Sequence, residues 1–275
     1  MNAVLFLYAP RAGKSPVMRE EWRRFGWKWG LRALSLAGAA SLWEVFGRTQ
    51  HSLLLPTFTD TIGALVGLLG TRELWEALWV SNQAMVLGFS AAATIGILLG
   101  LGMGRWHLAE ALLDPYLSIL LVTPMSALIP IMIMMTGLGI FTRVLIVFSF
   151  AVVVITVNTR AGLKTLDPYW IEMARSFGAG EWLLWRKILL RGALPAIMTG
   201  LRLGMARAIT GMVFVELLLL ALGLGRLILD FQGNFESADL YATVFVIVAE
   251  AVILMQVLKW LEHRVAPWAE QVVVE

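Results

Sequence analysis

The sequence predicts an all-α integral membrane protein that crosses the bilayer six times. Of its 275 residues, 59% are hydrophobic and 15% are charged, whereas about a quarter of the residues of a soluble domain are charged. A chain with so few charges cannot cover a water-soluble surface, and its apolar fraction is too high for a disordered protein. Long charge-free runs supply the spans, because a helix needs about 20 mostly apolar residues to cross the hydrocarbon core. A soluble enzyme is therefore excluded.

The N-terminal part of the chain is predicted to hold one span between two polar segments. Residues 1–30 contain several Lys and Arg residues and are expected to form a flexible basic tail in the cytoplasm. Residues 31–47 are predicted to form the first transmembrane helix, with Arg32 and Glu44 near its ends. Residues 48–76 are then expected to form an extracytoplasmic loop.

Residues 77–265 are predicted to form the membrane core with five further helices. Their apolar runs are 77–104, 115–142, 144–159, 208–225 and 240–258. The first three runs contain no charge, and we expect Arg143, between the second and the third, to snorkel to the interface. The last two runs contain one acid each, Glu216 and Glu250. Residues 266–275 are expected to form a second cytoplasmic tail.

The distribution of basic residues supports six spans with both termini in the cytoplasm. Sixteen of the 22 Lys and Arg residues fall in the predicted inside segments, and cytoplasmic loops of membrane proteins carry such an excess. Arg202 and Arg207, at the start of the fifth span, are left unassigned. The four that fall outside are Arg48, Arg72, Arg143 and Arg226.

Several kinds of chemistry are excluded by what the chain lacks. It has no Cys, so a disulfide framework, a thiolate metal site and a Cys nucleophile are impossible. The three histidines, His51, His107 and His263, share no metal-ligand spacing. The segments outside the membrane are too short to fold as a catalytic domain. Uphill transport by this chain would therefore need an ion gradient or a separate subunit.

The predicted cytoplasmic segment 160–195 is the most structured part outside the membrane. Asp167 and Pro168 are typical of a helix N-cap and first helical residue, because Pro has a fixed φ and no N–H to leave unpaired. Gly178 is predicted to end that helix at the C′ position. The segment thus predicts a short helix that begins at Pro168 and ends before Gly178.

A second short helix is predicted to follow in the same segment. It begins at Glu181, and Gly192 and Pro195 are expected to break it before the next span. In the first helix, Glu172 and Arg175 stand at i,i+3 and are expected to interact. From the residues alone, a loop that lies against the bundle or the interface is an equally open interpretation of this segment.

The same segment resembles the EAA loop of ABC importer permeases. Residues 172–178 read Glu-Met-Ala-Arg-Ser-Phe-Gly, Ile188 follows after nine residues, and Leu194 and Pro195 come next. In that family the pattern is Glu-Ala-Ala, three residues, Gly, nine residues, and Ile-x-Leu-Pro. The resemblance runs from about Leu55 to Val265 and implies the type I, MetI-like bundle of six helices. It points to the branch that imports nitrate, sulfonates, taurine and thiamine-precursor pyrimidines.

The resemblance implies that this loop carries a coupling helix, which docks in a cleft of an ATPase subunit. Met173 replaces the first Ala of the pattern, and Arg191 stands where its Pro usually falls. We expect Pro195 to break the helix in its place. The residues that match the coupling motif are Glu172, Met173, Ala174, Arg175, Gly178, Leu194 and Pro195.

The resemblance also implies the assembly in which the chain works. Two copies would pair as a homodimer with two ATP-binding cassette ATPase subunits, which hold ATP and Mg, and with an extracytoplasmic solute-binding protein. This chain would bind no cofactor and no nucleic acid, would catalyse no reaction itself, and would lie in a bacterial inner membrane. Its substrate would be a small anion (sulfonate, taurine, nitrate or bicarbonate) or a pyrimidine-type compound.

Few ionisable residues lie within the predicted spans, and each is a functional candidate. Glu216 is a poor ligand for an anion, so an internal bond with Arg202 or Arg207 is the favoured interpretation, and Glu250 is expected to pair structurally as well. The candidates for the translocation path are Thr123, Ser126, Asn158 and Glu216.

Two other function classes fit the sequence less well. A stand-alone secondary transporter, driven by an ion gradient, would call for paired half-repeats and several buried charges. The chain has no convincing repeat. An intramembrane enzyme would need a metal cluster or a Ser–His pair at membrane depth, and the positions of the histidines argue against it.

Overall fold

The computed structural model describes residues 16–50, 54–220 and 222–267. Most of the predicted tails, residues 1–15 and 268–275, therefore lies outside the described residues. Every regular element in the described part is helical, as the sequence predicts. The chain divides into two compact units, residues 1–60 and 61–275.

The first unit contains helix α1 (Pro16–Gln50), which is much longer than the predicted span. The helix begins inside the stretch predicted to be a flexible tail, so that expectation is wrong for residues 16–30. Near its end, the Trp43 indole donates to the Pro56 carbonyl at 3.0 Å, and Glu44 accepts from the Thr59 N–H at 3.0 Å. These bonds fold residues 56–59 back against the last turns of α1.

The predicted extracytoplasmic loop is also largely helical. Helix α2 (Phe58–Leu69) lies within it, and helix α3 (Arg72–Arg105) begins before it ends. The Thr71 hydroxyl caps α3 by accepting from the Leu74 N–H at 3.4 Å, as Thr does at many helix starts.

The predicted span 115–142 is in fact two helices. Helix α4 (His107–Val122) and helix α5 (Met125–Thr136) meet at an angle of 106°. The break falls at Pro124, because proline lacks an N–H and drives the preceding residue, Thr123, out of the helical region. Gly137, with φ of 77°, ends α5.

The remaining helices form the centre of the second unit. The chain continues with α6 (Ile140–Lys164), α7 (Pro168–Ser176), α8 (Glu181–Leu184), a π-helical turn (Trp185–Leu189), α9 (Leu190–Val215), a second π-helical turn (Glu216–Leu220), α10 (Gly223–Gly233) and α11 (Ser237–Val265). We call the end of this unit that carries α7 and α8 the α7 end, and the opposite end the α10 end.

Length and composition allow fewer spans than predicted. Among the described residues, α3, α6 and α11 are each long and apolar enough to cross a membrane, and two bent pairs raise the number to at most five. The pairs are α4 with α5, and the helix that contains α9 with α10. Helix α1 is not among them, so the predicted count of six is not confirmed.

Helix α6 lies between α3 and α9, and small residues bring the three backbones together. A Cβ on Gly88 would lie 2.7 Å from the Val147 Cβ, and one on Gly100 would lie 2.5 Å from the Thr159 Cβ. On the other side of α6, a Cβ on Gly204 would lie 2.6 Å from the Ile155 side chain. Small residues at helix contacts let membrane helices approach closely, where van der Waals packing stabilises them.

Candidate functional site

The helix predicted to begin at Pro168 is present as α7, and its start is as predicted. The Asp167 carboxylate accepts from the Tyr169 N–H at 2.9 Å, and Pro168 is the first helical residue. A side-chain acceptor at the N-cap satisfies one of the amide groups that the first turn leaves unpaired.

Gly178 ends α7 as predicted, and the structure gives the reason. Its φ is 81°, its N–H donates to the Arg175 carbonyl at 2.9 Å, and the Ala179 N–H donates to the Ala174 carbonyl at 3.0 Å. These two bonds form a Schellman motif, in which the residue after the helix adopts the left-handed conformation that suits Gly. A Cβ here would meet no atom within 4 Å, so Gly is required by the backbone and not by space.

The surface of α7 and α8 is exposed and rich in aromatic side chains. No residue of α7 is buried. The Phe177 and Trp182 side chains are 86% and 78% exposed, and Tyr169 and Trp170 are more than half exposed. Glu172 is exposed beside them. Contiguous exposed apolar surface marks a site of contact with a partner or a membrane.

The Glu181 carboxylate links α7 to α3 and α8. Glu181, at the start of α8, accepts from Arg105, the last residue of α3, at 3.2 Å and from Arg175 of α7 at 3.0 Å. These hydrogen bonds, first from Arg105 and then from Arg175, lower the pKa of the Glu181 carboxyl below its ordinary value. The predicted pairing of Glu172 with Arg175 is therefore wrong, because the Arg175 guanidinium points to Glu181.

The helix after α7 does not break where the sequence predicts. Residues 181–220 are helical throughout, and Gly192, Leu194 and Pro195 lie inside this helix. Membrane helices tolerate an interior proline when neighbouring groups compensate for the lost hydrogen bond. Here close packing holds the turn: a Cβ on Gly192 would collide with the Leu166 side chain. The expectation that Pro195 breaks the helix is wrong, and the α7 end connects directly to the membrane core.

At the α10 end, Glu216 is completely buried and fully bonded. Its carboxylate accepts from Arg143 at 2.8 Å, from the Ser81 hydroxyl at 2.8 Å and from the Gly225 N–H at 3.1 Å. The predicted partners Arg202 and Arg207 are wrong, because Arg202 binds Glu262 at 3.2 Å. The internal bond itself, favoured from the sequence, is confirmed.

Arg143 lies in the protein interior and does not snorkel to the interface as predicted. It is 3% exposed, and it also donates to the Val80 carbonyl at 2.7 Å. The Ser81 hydroxyl in turn accepts from the Leu224 N–H at 3.0 Å. The cluster therefore fixes the start of α10 against α3 and α6. Sequence reasoning missed Arg143 and Ser81, although a charge between two apolar runs was a visible signal.

The four candidates for the translocation path do not form one site. Thr123 and Ser126 flank the break between α4 and α5, and the Thr123 hydroxyl donates to the Ile119 carbonyl at 2.8 Å. Asn158 lies on α6 against Gly200, and its amide donates to the Val154 carbonyl at 2.8 Å. Glu216 follows Gly200 by 16 residues, or about 24 Å along the helix.

Glu250 on α11 has no ion-pair partner within the described ranges. Both of its carboxylate oxygens are buried, and by distance and angle neither accepts a hydrogen bond. The Asn82 amide lies beside the carboxylate, and one of its two N–H groups donates to the Leu78 carbonyl at 2.9 Å. In the same part of the chain, no group of three His, Cys, Asp or Glu residues is placed to hold a metal ion.

An acidic cleft lies beside α10. Glu73, Asp230 and Glu236 line it together with backbone and apolar groups of residues 227–234, and its volume is about 540 Å³. Arg226 lies next to it and pairs with Glu73 at 2.9 Å and with Asp230 at 3.2 Å. The α10 end therefore presents a concave surface of mainly negative charge.

Comparison with known proteins places the chain in a family. Residues 92–270 match the family described as binding-protein-dependent transport system inner membrane component. The chain is 27% identical over 264 residues to the taurine transport system permease protein TauC of Escherichia coli (strain K12), which covers 91% of this chain and 96% of that protein. It is 27% identical over 262 residues to the putative aliphatic sulfonates transport permease protein SsuC of Bacillus subtilis (strain 168), with 94% of each covered.

Two further similarities agree with this match. The formylaminopyrimidine transport permease protein ThiX of Halalkalibacterium halodurans is 26% identical over 236 residues, which cover 84% of this chain and 92% of that protein. A chain of the inward-facing MetNI methionine ABC transporter has a TM-score of 0.51 and 20% identity, with 72% of this chain and 94% of that chain covered. This likeness confirms the predicted MetI-like fold. The chain belongs to the family of inner membrane components of binding-protein-dependent transport systems.

Proposed function

We propose that this chain is the permease subunit of an ATP-driven importer of a small organic anion of the sulfonate or taurine type. The observation that carries the proposal is the exposed helix α7, which has a cap at each end and an uncovered aromatic surface. Such a helix is a preformed contact for a partner, because its caps fix its conformation before binding. We assign that partner as an ATP-binding cassette ATPase, which holds ATP and Mg.

The connection from α7 into the membrane supports this coupling role. Glu181 holds Arg175 of α7 and begins the uninterrupted helix that reaches Leu220. A movement of α7 on its partner is therefore passed to α9 through the short turn 177–180 and the ion pair of Arg175 with Glu181. In this proposal Glu172, Met173, Ala174 and Phe177 contact the ATPase, and Gly178 fixes the turn.

The proposed assembly and orientation follow from the same coupling. Two copies form a homodimer with two ATPases in a bacterial inner membrane, with both termini and the α7 end in the cytoplasm. Residues 31–47 supply the first of six spans. A solute-binding protein docks at the α10 end, where basic groups on its surface meet the acidic cleft of Glu73, Asp230 and Glu236.

The proposed substrate class takes its support from the relatives, two of which are named for taurine or aliphatic sulfonates. A pyrimidine-type compound is the second candidate, since another relative is named for formylaminopyrimidine transport. Uptake of radiolabelled taurine, an alkanesulfonate and a formylaminopyrimidine by the full complex in proteoliposomes decides between them.

The energy source is tested in the same vesicles. ATP inside the vesicles is expected to drive uptake, and an uncoupler of ion gradients is expected to leave it unchanged. Uptake that persists without ATP and stops with the uncoupler would contradict the proposal and favour a secondary transporter.

A pair of glycine variants tests the coupling helix. Gly178→Val forces a β-branched residue to a φ of 81°, whereas Gly180→Val places the same side chain at a φ of −73°. A Cβ at either position meets no atom within 4 Å, so the pair differs in backbone strain and not in crowding. We expect ATP hydrolysis without uptake for Gly178→Val and normal coupling for Gly180→Val. Normal uptake by the first variant would refute the coupling role.

A further inference from the structure

Three of the arginines on α6 and α9, namely Arg143, Arg202 and Arg207, differ in their partners. Arg143 binds Glu216 at 2.8 Å, and Arg202 binds Glu262 at 3.2 Å. Arg207, also on α9, is exposed, and in the part of the chain that the structure describes it has no carboxylate partner. A charged side chain in a membrane helix is costly unless it is paired or faces water.

The position of Arg207 along α9 places it at membrane depth. Arg202 lies level with Glu262, three residues before the C-terminal end of α11. Arg207 follows five residues later, about 7.5 Å further along the helix, and Glu216 follows after another nine residues, about 13.5 Å. The Arg207 backbone therefore lies between the two ion pairs, level with the middle of the apolar helix α6, on which Gly204 and Gly211 pack through Ile155 and Phe150.

The face of α9 that carries Arg207 differs from a lipid-facing surface. The residues exposed there are Leu203, Ala206, Arg207, Thr210 and Phe214, which recur at i, i+3, i+4, i+7 and i+11. Between residues 240 and 255 the exposed residues of α11 are aliphatic instead, as lipid requires, and they are Val244, Val248, Ala249, Val252 and Ile253. A guanidinium and a hydroxyl one turn apart indicate that the α9 face borders water or a polar solute.

We propose that Arg207 binds the transported anion within the translocation path, with Thr210 as a second donor. The inference rests on the proposed transport function. A guanidinium presents a planar fork of N–H groups that matches two oxygens of a sulfonate or carboxylate. The Thr210 hydroxyl donates to the Ala206 carbonyl at 2.9 Å, and it can turn toward a ligand beside Arg207. The small side chain of Ala206 leaves room for that ligand.

The absence of cysteine from the chain allows a direct test of accessibility. Arg207→Cys and the control Val252→Cys each introduce one thiol into this subunit. In the full complex in vesicles, a membrane-impermeant, positively charged methanethiosulfonate is expected to label position 207 and not position 252. Resistance at both positions, or equal labelling at both, would overturn the proposal.

Transport by charge variants gives the second test. We expect Arg207→Gln to lower ATP-driven uptake roughly tenfold to a hundredfold, since bonds to a charged group contribute that much to binding. Arg207→Lys keeps the positive charge but lacks the planar pair of N–H donors. We expect its uptake rate to lie between that of the wild type and that of Arg207→Gln. If Arg207→Gln does not fold, the thiol labelling and a loss of uptake by Thr210→Val decide instead.

A comparison of lipid compositions separates binding of the transported anion by Arg207 from binding of a lipid headgroup. An anionic lipid headgroup is the other ligand that would suit Arg207, so uptake is compared in phosphatidylcholine vesicles with and without phosphatidylglycerol. A defect that appears only with phosphatidylglycerol assigns Arg207 to lipid and overturns the inference. Equal uptake by the wild type and Arg207→Gln overturns the inference alone, whereas no ATP-driven uptake by the wild type refutes the proposed function.

Discussion

Each end of the membrane core has one carboxylate that is bound by groups from at least two other helices. The carboxylate is Glu216 at the α10 end and Glu181 at the α7 end, and only the cluster around Glu216 is buried. At the α10 end, Glu216 and Arg143 are almost inaccessible to solvent. At the α7 end, Glu181 and Arg175 are more than half exposed, and Arg105 is partly exposed. Buried charges depend on each other strongly, whereas exposed pairs contribute little. The comparison indicates a fixed α10 end and an α7 end whose contacts can be exchanged at small cost.

The largest expected effect comes from breaking the buried cluster. Glu216→Ala leaves the Arg143 guanidinium buried without its counter-charge, and we expect a loss of about 3–5 kcal/mol in the free energy of unfolding. Thermal unfolding in detergent measures it. Glu76→Ala, which removes the acid of the exposed pair with Arg72, is the matched control and is expected to leave the midpoint unchanged. Similar midpoints for the two variants would refute the contrast between buried and exposed pairs.

Packing between the ends gives the next effect. Gly100→Ala places a Cβ 2.5 Å from the Thr159 Cβ and 2.6 Å from the Thr156 carbonyl oxygen, and we expect a loss of about 1–3 kcal/mol. Gly102→Ala places its Cβ no closer than 3.7 Å to the Trp106 ring, so it should be neutral or stabilising. If unfolding midpoints rank these variants in the opposite order, the close approach of α3 and α6 is wrong.

The N-cap of α7 provides a smaller, local effect. Asp167→Ala removes the acceptor for the Tyr169 N–H and is expected to cost about 0.5–2 kcal/mol of helix stability. Asp167→Asn keeps an acceptor and serves as the control. Amide hydrogen exchange should rise in the first turn of α7 for the Ala variant alone. Unchanged protection would show that contacts other than the cap hold this helix.

The smallest effect is expected at Glu181, and it depends on pH. Because the folded-state pKa of Glu181 is lowered, its bonds stabilise the α7 end above the unfolded pKa and are lost as the pH falls through the folded value. Glu181→Gln should therefore weaken hydrogen-exchange protection of α7 slightly at neutral pH. The difference from the wild type should begin to shrink as the pH falls below the ordinary carboxyl pKa of 4.5 and vanish only below the lowered pKa of the folded state. A difference that grows toward low pH would contradict this sign.

Local signals in the sequence predicted the fold class and the two ends of α7 well. The low fraction of charged residues predicted a membrane protein. The caps of α7 were predictable because Asp167, Pro168 and Gly178 determine the backbone only of residues a few positions away in the sequence. Contacts between distant segments were not predictable in this way. Arg143 and Glu216 are 73 residues apart, and only the packing of α6 against α9 brings them together.

The wrong helix boundaries have the same physical origin. Pro124 and Pro195 have the same local chemistry, yet the first breaks a span at 106° and the second lies inside a continuous helix. Close packing of Gly192 on Leu166 and of Gly162 on Ala196 distinguishes the second site. The contact of α3 with α6 is visible in the sequence as glycines spaced at multiples of four residues, namely Gly88, Gly96, Gly100 and Gly104. Spans predicted from the length of apolar segments do not make use of this spacing.

The unbroken helix from Glu181 to Leu220 gives the molecule a lever. One of its close contacts with α6 is at Gly204. Along the helix axis, Gly204 lies about 35 Å from Glu181 and about 24 Å from Leu220. A rod that pivots there turns a displacement of about 3 Å at the α7 end into about 2 Å in the opposite direction at the α10 end, in the ratio of its two arms. The buried Glu216 cluster is attached to the shorter arm, so a tilt of the helix about this contact would strain the ion pair of Glu216 with Arg143.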